Sequence, residues 1–127
     1  MDFRLPSPPP SMNAIYQIIY GQKRVELKPE VRAYKSTAKM YVPPFDVTVT
    51  DKVGIKMDVS QDWFFKNGNM KKQDVQNMAK VLIDVIAEKM GFDDSQVWDF
   101  SLTKVQNTEK TGVQVKVWKL AATTSSV

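Results

Sequence analysis

The spacing of apolar and polar positions divides the chain into elements. Phe3 and Leu5 alternate with Asp2 and Arg4, which predicts a short strand with both apolar residues on one face. The prolines of Pro6-Ser7-Pro8-Pro9-Pro10-Ser11 fix an extended backbone, read here as a rigid connector. Ile15, Tyr16, Ile18, Ile19 and Tyr20 precede Gly21, and Val25 follows it; this predicts two short extended pieces around a Gly21 turn. Pro29 opens a helix with Glu30 in its first turn. Its apolar stripe is Val31, Tyr34 and Ala38, and Arg32, Lys35 and Lys39 repeat that spacing on another face. Pro43-Pro44 ends it.

Val47 and Val49 alternate with Thr48 and Thr50, which predicts a strand. Val53, Ile55, Met57 and Val59 predict the next. Residues 60–72 read as a loop turning at Asn67-Gly68. A helix over 74–90 follows from Val75, Met78, Ala79, Leu82, Val85, Ile86 and Met90 at the helical period. Asp74 starts it, Lys89 stands in its last turn and Gly91 stops it. Asp93-Asp94-Ser95 makes a turn, residues 97–105 a strand, and Val113, Val115 and Val117 its hairpin partner. The expected fold is α+β: one domain over 1–120, a mostly antiparallel sheet with two main helices on one face, then a flexible tail over 121–127.

Composition narrows the chemistry. The chain has 127 residues, 43% hydrophobic and 25% charged, which is ordinary for one globular domain. No apolar run exceeds three residues, too short for a membrane span. The start, Met-Asp-Phe-Arg-Leu-Pro, lacks the pattern of a signal peptide. With no cysteine and no histidine, disulfides, thiolate nucleophiles, histidine bases and Cys/His zinc sites are excluded. Chemistry must come from Asp, Glu, Lys, Ser, Thr or Tyr, with a hard, oxygen-liking metal as the natural helper. The net charge of +4 suits a polyanionic partner. Trp63-Phe64-Phe65-Lys66 sets aromatics beside a cation, for packing or for base stacking. Trp98 and Trp118 fall in predicted strands and are expected in the core or at an interface.

Asp74, Asn77, Lys80 and Asp84 lie along one flank of the second helix. Asp74 is either a capping acid or a functional carboxylate. Asp93-Asp94 is either a plain turn or part of a site. On a straight helix the Asp74 and Asp94 ends stand about 24 Å apart, which opposes their meeting within one subunit.

The order of these pieces resembles the RusA family of Holliday-junction resolvases. Leu5-Pro6-Ser7-Pro8-Pro9-Pro10-Ser11-Met12-Asn13 is similar to the family's N-terminal strand and Pro-Pro-Ser-x-Asn segment. Val31-Arg32-Ala33-Tyr34-Lys35 is similar to its first helix. Lys72-Gln73-Asp74-Val75-Gln76-Asn77-Met78-Ala79-Lys80 resembles its Arg-Asp-x-Asp-Asn-x-x-Lys signature, and Asp93-Asp94-Ser95-Gln96-Val97 its Asp-Asp-x-Gln-Val turn. The resemblance covers about Phe3 to Trp118.

It implies a homodimeric endonuclease that nicks four-way DNA junctions symmetrically with Mg²⁺ or Mn²⁺, in the cytoplasm of a bacterial cell or phage-infected host. It assigns catalysis to Asp74, Asp94, Lys80 and Gln76, and metal ligation to Asp74, Asp94, Gln76 and Asp93. DNA contacts are expected at Asn13, Lys23, Arg24, Arg32, Lys35, Lys39, Lys71, Lys72 and Asn77. Gln76 departs from the signature, which has a carboxylate there. An amide oxygen can ligate Mg²⁺ but brings no charge, so metal binding weakens. Asp93, Asp58 or Asp62 would then assist, or the chain would bind junctions and cleave them poorly. The weakest alternative is an interaction module using the Pro-rich segment.

Overall fold

The computed structural model describes residues 1–10, 16–19 and 24–121, with the backbone alone for 16–19, 24 and 25. In order come β1 (Asp2–Leu5), β2 (Tyr16–Ile19), β3 (Arg24–Leu27), α1 (Pro29–Lys39), β4 (Val53–Gln61), α2 (Val75–Met90), a 3₁₀ turn (Asp94–Gln96), β5 (Val97–Gln106) and β6 (Gly112–Lys119). The fold is α+β. One sheet has the order β1-β6-β4-β5, and β2 pairs with β3 antiparallel in a separate ribbon. The turn expected at Gly21 and the tail beyond residue 121 lie outside the described residues.

β4 is the axis of the main sheet. Its Ile55, Met57 and Val59 stand opposite Val117, Val115 and Val113 of antiparallel β6, and all six are fully buried. β5 pairs with its other edge in parallel. A parallel pair needs a crossover, and α2 supplies it. Met78, Leu82, Val85 and Ile86 of α2 cover the sheet's apolar face, to which β1 contributes Leu5. α1 lies on the same side: Val31 packs on Val81, and Ala38 joins the main core. The opposite face shows exposed Lys56, Gln114 and Lys116.

Both helix starts follow sequence rules. Pro29 gives α1 a first residue that lacks an N–H. Asp74 caps α2, its Oδ1 accepting from Gln76 N at 2.9 Å and Asn77 N at 3.3 Å. Gly91, with φ of 81°, ends α2 in a left-handed conformation and donates its N–H to Ala87 O at 2.8 Å.

Three expectations change. Val47–Thr50 is no strand: Asp51 Oδ2 holds Thr48 N at 2.8 Å in a turn, and Val49 is 90% exposed. β5 and β6 each occupy an edge of β4, which leaves no ladder there for that segment. β5 and β6 are also not a hairpin, because β4 lies between them. Valines spaced by two suit any apolar partner strand, and β4 is the more apolar one. The predicted loop over 60–72 contains the end of β4 and a small hairpin described below. Of the tryptophans, Trp98 is 65% exposed beneath Lys52, whose Nζ stands 4.2 Å from the ring centroid.

Trp118 lies across Gly54 on the outer face, where a Cβ would stand 2.2 Å from its Cε2. Gly54→Ala must therefore displace the indole. The expected outcome is a loss of about 1–3 kcal/mol in urea unfolding, with a change in tryptophan emission.

Candidate functional site

A cleft of about 560 Å³ opens between α2 and β5, lined by Gln76, Ala79, Lys80, Ile83, Asp84, Asp94, Val97 and Phe100. It exists because β5 is the sheet's edge strand and α2 covers it incompletely. Residues 76, 80, 83 and 84 recur at helical spacing and so share one face of α2. Asp94 arrives by a fold-back after Gly91. The Asp93 carboxylate accepts from Ser95 N at 2.9 Å, and Gln96 Oε1 accepts from Asp93 N at 3.0 Å. Gln96 Nε2 donates to Thr48 O at 2.8 Å and Asp51 O at 3.1 Å, which fastens this turn to the loop before β4.

The electrostatics of the cleft centre on Asp84. Burial pushes its carboxyl above the usual range, and Glu88 and Asp94 add to that, while Lys35 and Lys80 oppose it. Asp93 is held below the usual range, chiefly by the Ser95 N–H. Asp84 belongs to the predicted flank but not to the predicted site. Its signal was its place one helical turn beyond Lys80, on the face that Asp94 meets.

The structure separates the other expected residues. Gln76, Lys80 and Asp94 share the α2–β5 cleft. Asp74 and Asn77 line a neighbouring narrow cleft with Pro9, Pro10 and Val31. Asp93 spends one carboxylate oxygen on its turn. Asp62 is tied to Phe64 N and Gln106, and Asp58 is half-buried on a β4 position that alternates with the core residues. Arg32 pairs with Glu26 at 3.8 Å; Lys35, at 2.9 Å, and Lys39 both pair with Glu88. The basic stripe of α1 is thus turned inward on the protein's own acids. Lys71 and Lys72 line a separate cleft at residues 61–73. Asn13 and Lys23 lie outside the described residues, and only the backbone of Arg24 is described.

Among the described residues no three carboxylates converge on a point that would hold a metal. The donors at the α2–β5 cleft are two carboxylates and an amide oxygen. That set suits a hard cation, and burial is the chief reason that the Asp84 carboxyl is raised there. No helix among the described residues is long and apolar enough to cross a membrane.

Fold and cleft define the class: an α+β protein with a crossover helix whose polar cleft is furnished by carboxylate, amide and lysine. Residues 6–118 match the family model described as Endodeoxyribonuclease RusA. The chain belongs to the RusA endodeoxyribonuclease family, which resolves Holliday junctions and whose nucleases generally require a divalent metal. No curated protein matches the chain.

Asp84 yields a pH prediction. Its raised pKa means that the folded state resists ionising it, so it lowers stability at neutral pH and not in acid. Without added metal, Asp84→Asn should raise the urea midpoint at pH 7. The gain should vanish as pH falls through the raised pKa to the ordinary carboxylate value. A gain independent of pH would contradict this assignment.

Proposed function

We propose that this chain is a divalent-metal-dependent endonuclease that binds four-way DNA junctions as a homodimer and nicks two strands symmetrically. The observation that carries the reading is the gathering of Gln76, Lys80, Asp84 and Asp94 in one cleft of a RusA-family chain. Asp84, Asp94 and the Gln76 amide oxygen would hold the cation, which when bound supplies Lewis-acid activation of water and neutralises phosphate charge. Lys80 orients the scissile phosphate and offsets charge developing on its oxygens. Asp74 contributes by fixing the start of α2, which sets the position of Gln76. Its carboxylate already satisfies the Gln76 and Asn77 N–H groups at that start, so the cap acts on position and not on phosphate. Two-fold symmetry would give a junction two equal sites, from which paired nicks follow. Such a protein works beside DNA in the cytoplasm of a bacterial cell or phage-infected host.

Phosphate contacts away from the cleft fall to Lys71 and Lys72 rather than to α1, whose lysines already answer Glu88. Binding to duplex arms should weaken with salt, and Lys71→Ala with Lys72→Ala should lower the slope of log K against log salt by about 2.

One observation favours a second reading. Gln76 faces the cleft where the family signature has a carboxylate, so the chain would bind junctions and cleave them weakly. The deciding experiment incubates the protein and Gln76→Asp with a labelled four-way junction and a linear duplex in Mg²⁺ and Mn²⁺. Paired nicks by the unaltered protein support the first reading. Binding without nicks, with cleavage raised about tenfold or more by Gln76→Asp, supports the second. No junction preference in either protein overturns both.

A further inference from the structure

A second cleft is roomier than the acidic one. It has a volume of about 790 Å³ and lies between the segment following β4 and the start of α2. Its walls hold Asp62, Phe65, Asn67, Asn69, Lys71 and Lys72, with Pro9 also lining it; Asp62 accepts from Phe64 N and Gln106 Nε2, and the two lysines outnumber it. That volume is within the range of small-molecule sites and ample for one nucleotide.

A short hairpin builds one wall. Phe65 N donates to Asn69 O at 2.8 Å, Lys71 N donates to Trp63 O at 2.8 Å, and Phe64 bridges Met70. Gly68, with φ of 89°, lets the tip turn. Trp63 roots the hairpin in the core: it is 5% exposed, and its indole N–H is shared between Val59 O at 3.2 Å and Val105 O at 3.1 Å. Lys104 Nζ stands 4.6 Å from the Trp63 ring centroid. Of these aromatics, read as packing on the core or at a dimer interface or as stacking on bases, Trp63 enters the core. Phe65 is 55% exposed and Met70 72%, on a hairpin too well braced for collapse to hide them.

The cleft's chemistry is selective. Lys71 Nζ stands 5.8 Å from the Phe65 ring centroid, so a flat group stacked on that ring comes within reach of an ammonium. Two asparagine amides line the same wall, and Gln61, itself buried, donates to Gln73 at the inner end. Asn67 Oδ1 already accepts from Asn69 N at 3.0 Å, so the Asn67 amide meets a ligand through its NH₂. A base with its phosphate matches aromatic face, amide and cation at once.

We infer that this cleft binds a single unstacked nucleotide: Phe65 stacks on the base, Asn67 and Asn69 meet its edge, and Lys71 and Lys72 hold its phosphate. The inference rests on the nuclease reading only for the kind of polymer supplied. The hairpin leads directly into the Asp74 cap, so a nucleotide held here is tethered to strand entering at the start of α2.

The test uses the full chain with a short oligothymidylate and an abasic strand of equal length, neither of which forms a junction. The unaltered protein should bind the base-bearing strand about tenfold more tightly. Phe65→Ala should bring that ratio close to one with its thermal midpoint unchanged, and Phe65→Trp should keep it. Lys71→Ala with Lys72→Ala should weaken both strands and leave the ratio intact. If Phe65→Ala unfolds, Phe65→Leu keeps the bulk without the π face and should also lose the ratio. A ratio near one in the unaltered protein, or one that survives Phe65→Leu, overturns the inference. Because no junction is used, loss of the resolvase reading would leave a base-dependent ratio standing, and the reverse holds too.

Discussion

The sheet depends on β4 being buried on both edges and on its apolar face. One edge takes β6 antiparallel and the other takes β5 parallel, and only the second requires chain to travel the length of the sheet and return. α2 is that return path. Its apolar stripe closes the core, so the same sixteen residues that make the parallel pair possible also carry Gln76, Lys80 and Asp84 along one uncovered flank. Fold and site are two faces of one helix.

The same helix explains how Asp94 comes to line a cleft with Gln76 and Lys80. The straight-helix estimate treats the segment after Gly91 as a continuation. In fact Gly91 ends the helix in a left-handed conformation, and the Asp93–Gln96 turn brings Asp94 to the cleft that Gln76, Lys80 and Asp84 line. The fold-back meets Asp84 and Lys80 and shares a cleft with Gln76, while Asp74 stays at the helix start as its cap. Gln96 sets the geometry: with both amide ends engaged, the turn cannot swing away without breaking bonds to the loop before β4.

Much of this was legible from local pattern. The period of Met78, Leu82, Val85 and Ile86, the Asp74 cap and the Gly91 stop placed α2 almost to the residue. Alternation found β1, β4, β5 and β6. What alternation cannot say is which strand sits beside which, since Val113, Val115 and Val117 satisfy any apolar neighbour; the sheet order therefore escaped. Val47 and Val49 mimicked a strand because their spacing is right, but both edges of β4 are taken and Asp51 holds Thr48 N in a turn. The charged residues were the hardest to judge. The stripe of Lys35 and Lys39 looks like a phosphate surface until Glu88, more than forty residues away, is seen between them. No local signal marks such a pairing. Phe65 was likewise undecidable from Trp63-Phe64-Phe65, because the three aromatics differ only in which way a hairpin turns them.

The Glu88 clamp has a consequence for how the molecule meets a polyanion. A net charge of +4 says nothing about where the positive potential lies. Lys35 and Lys39 share one carboxylate, so one of those two positive charges on α1 is neutralised within the fold, while Lys71 and Lys72 lie in the cleft before α2. Cations outside such a clamp keep their full charge for a polyanion, and they carry the salt-dependent part of any encounter with one.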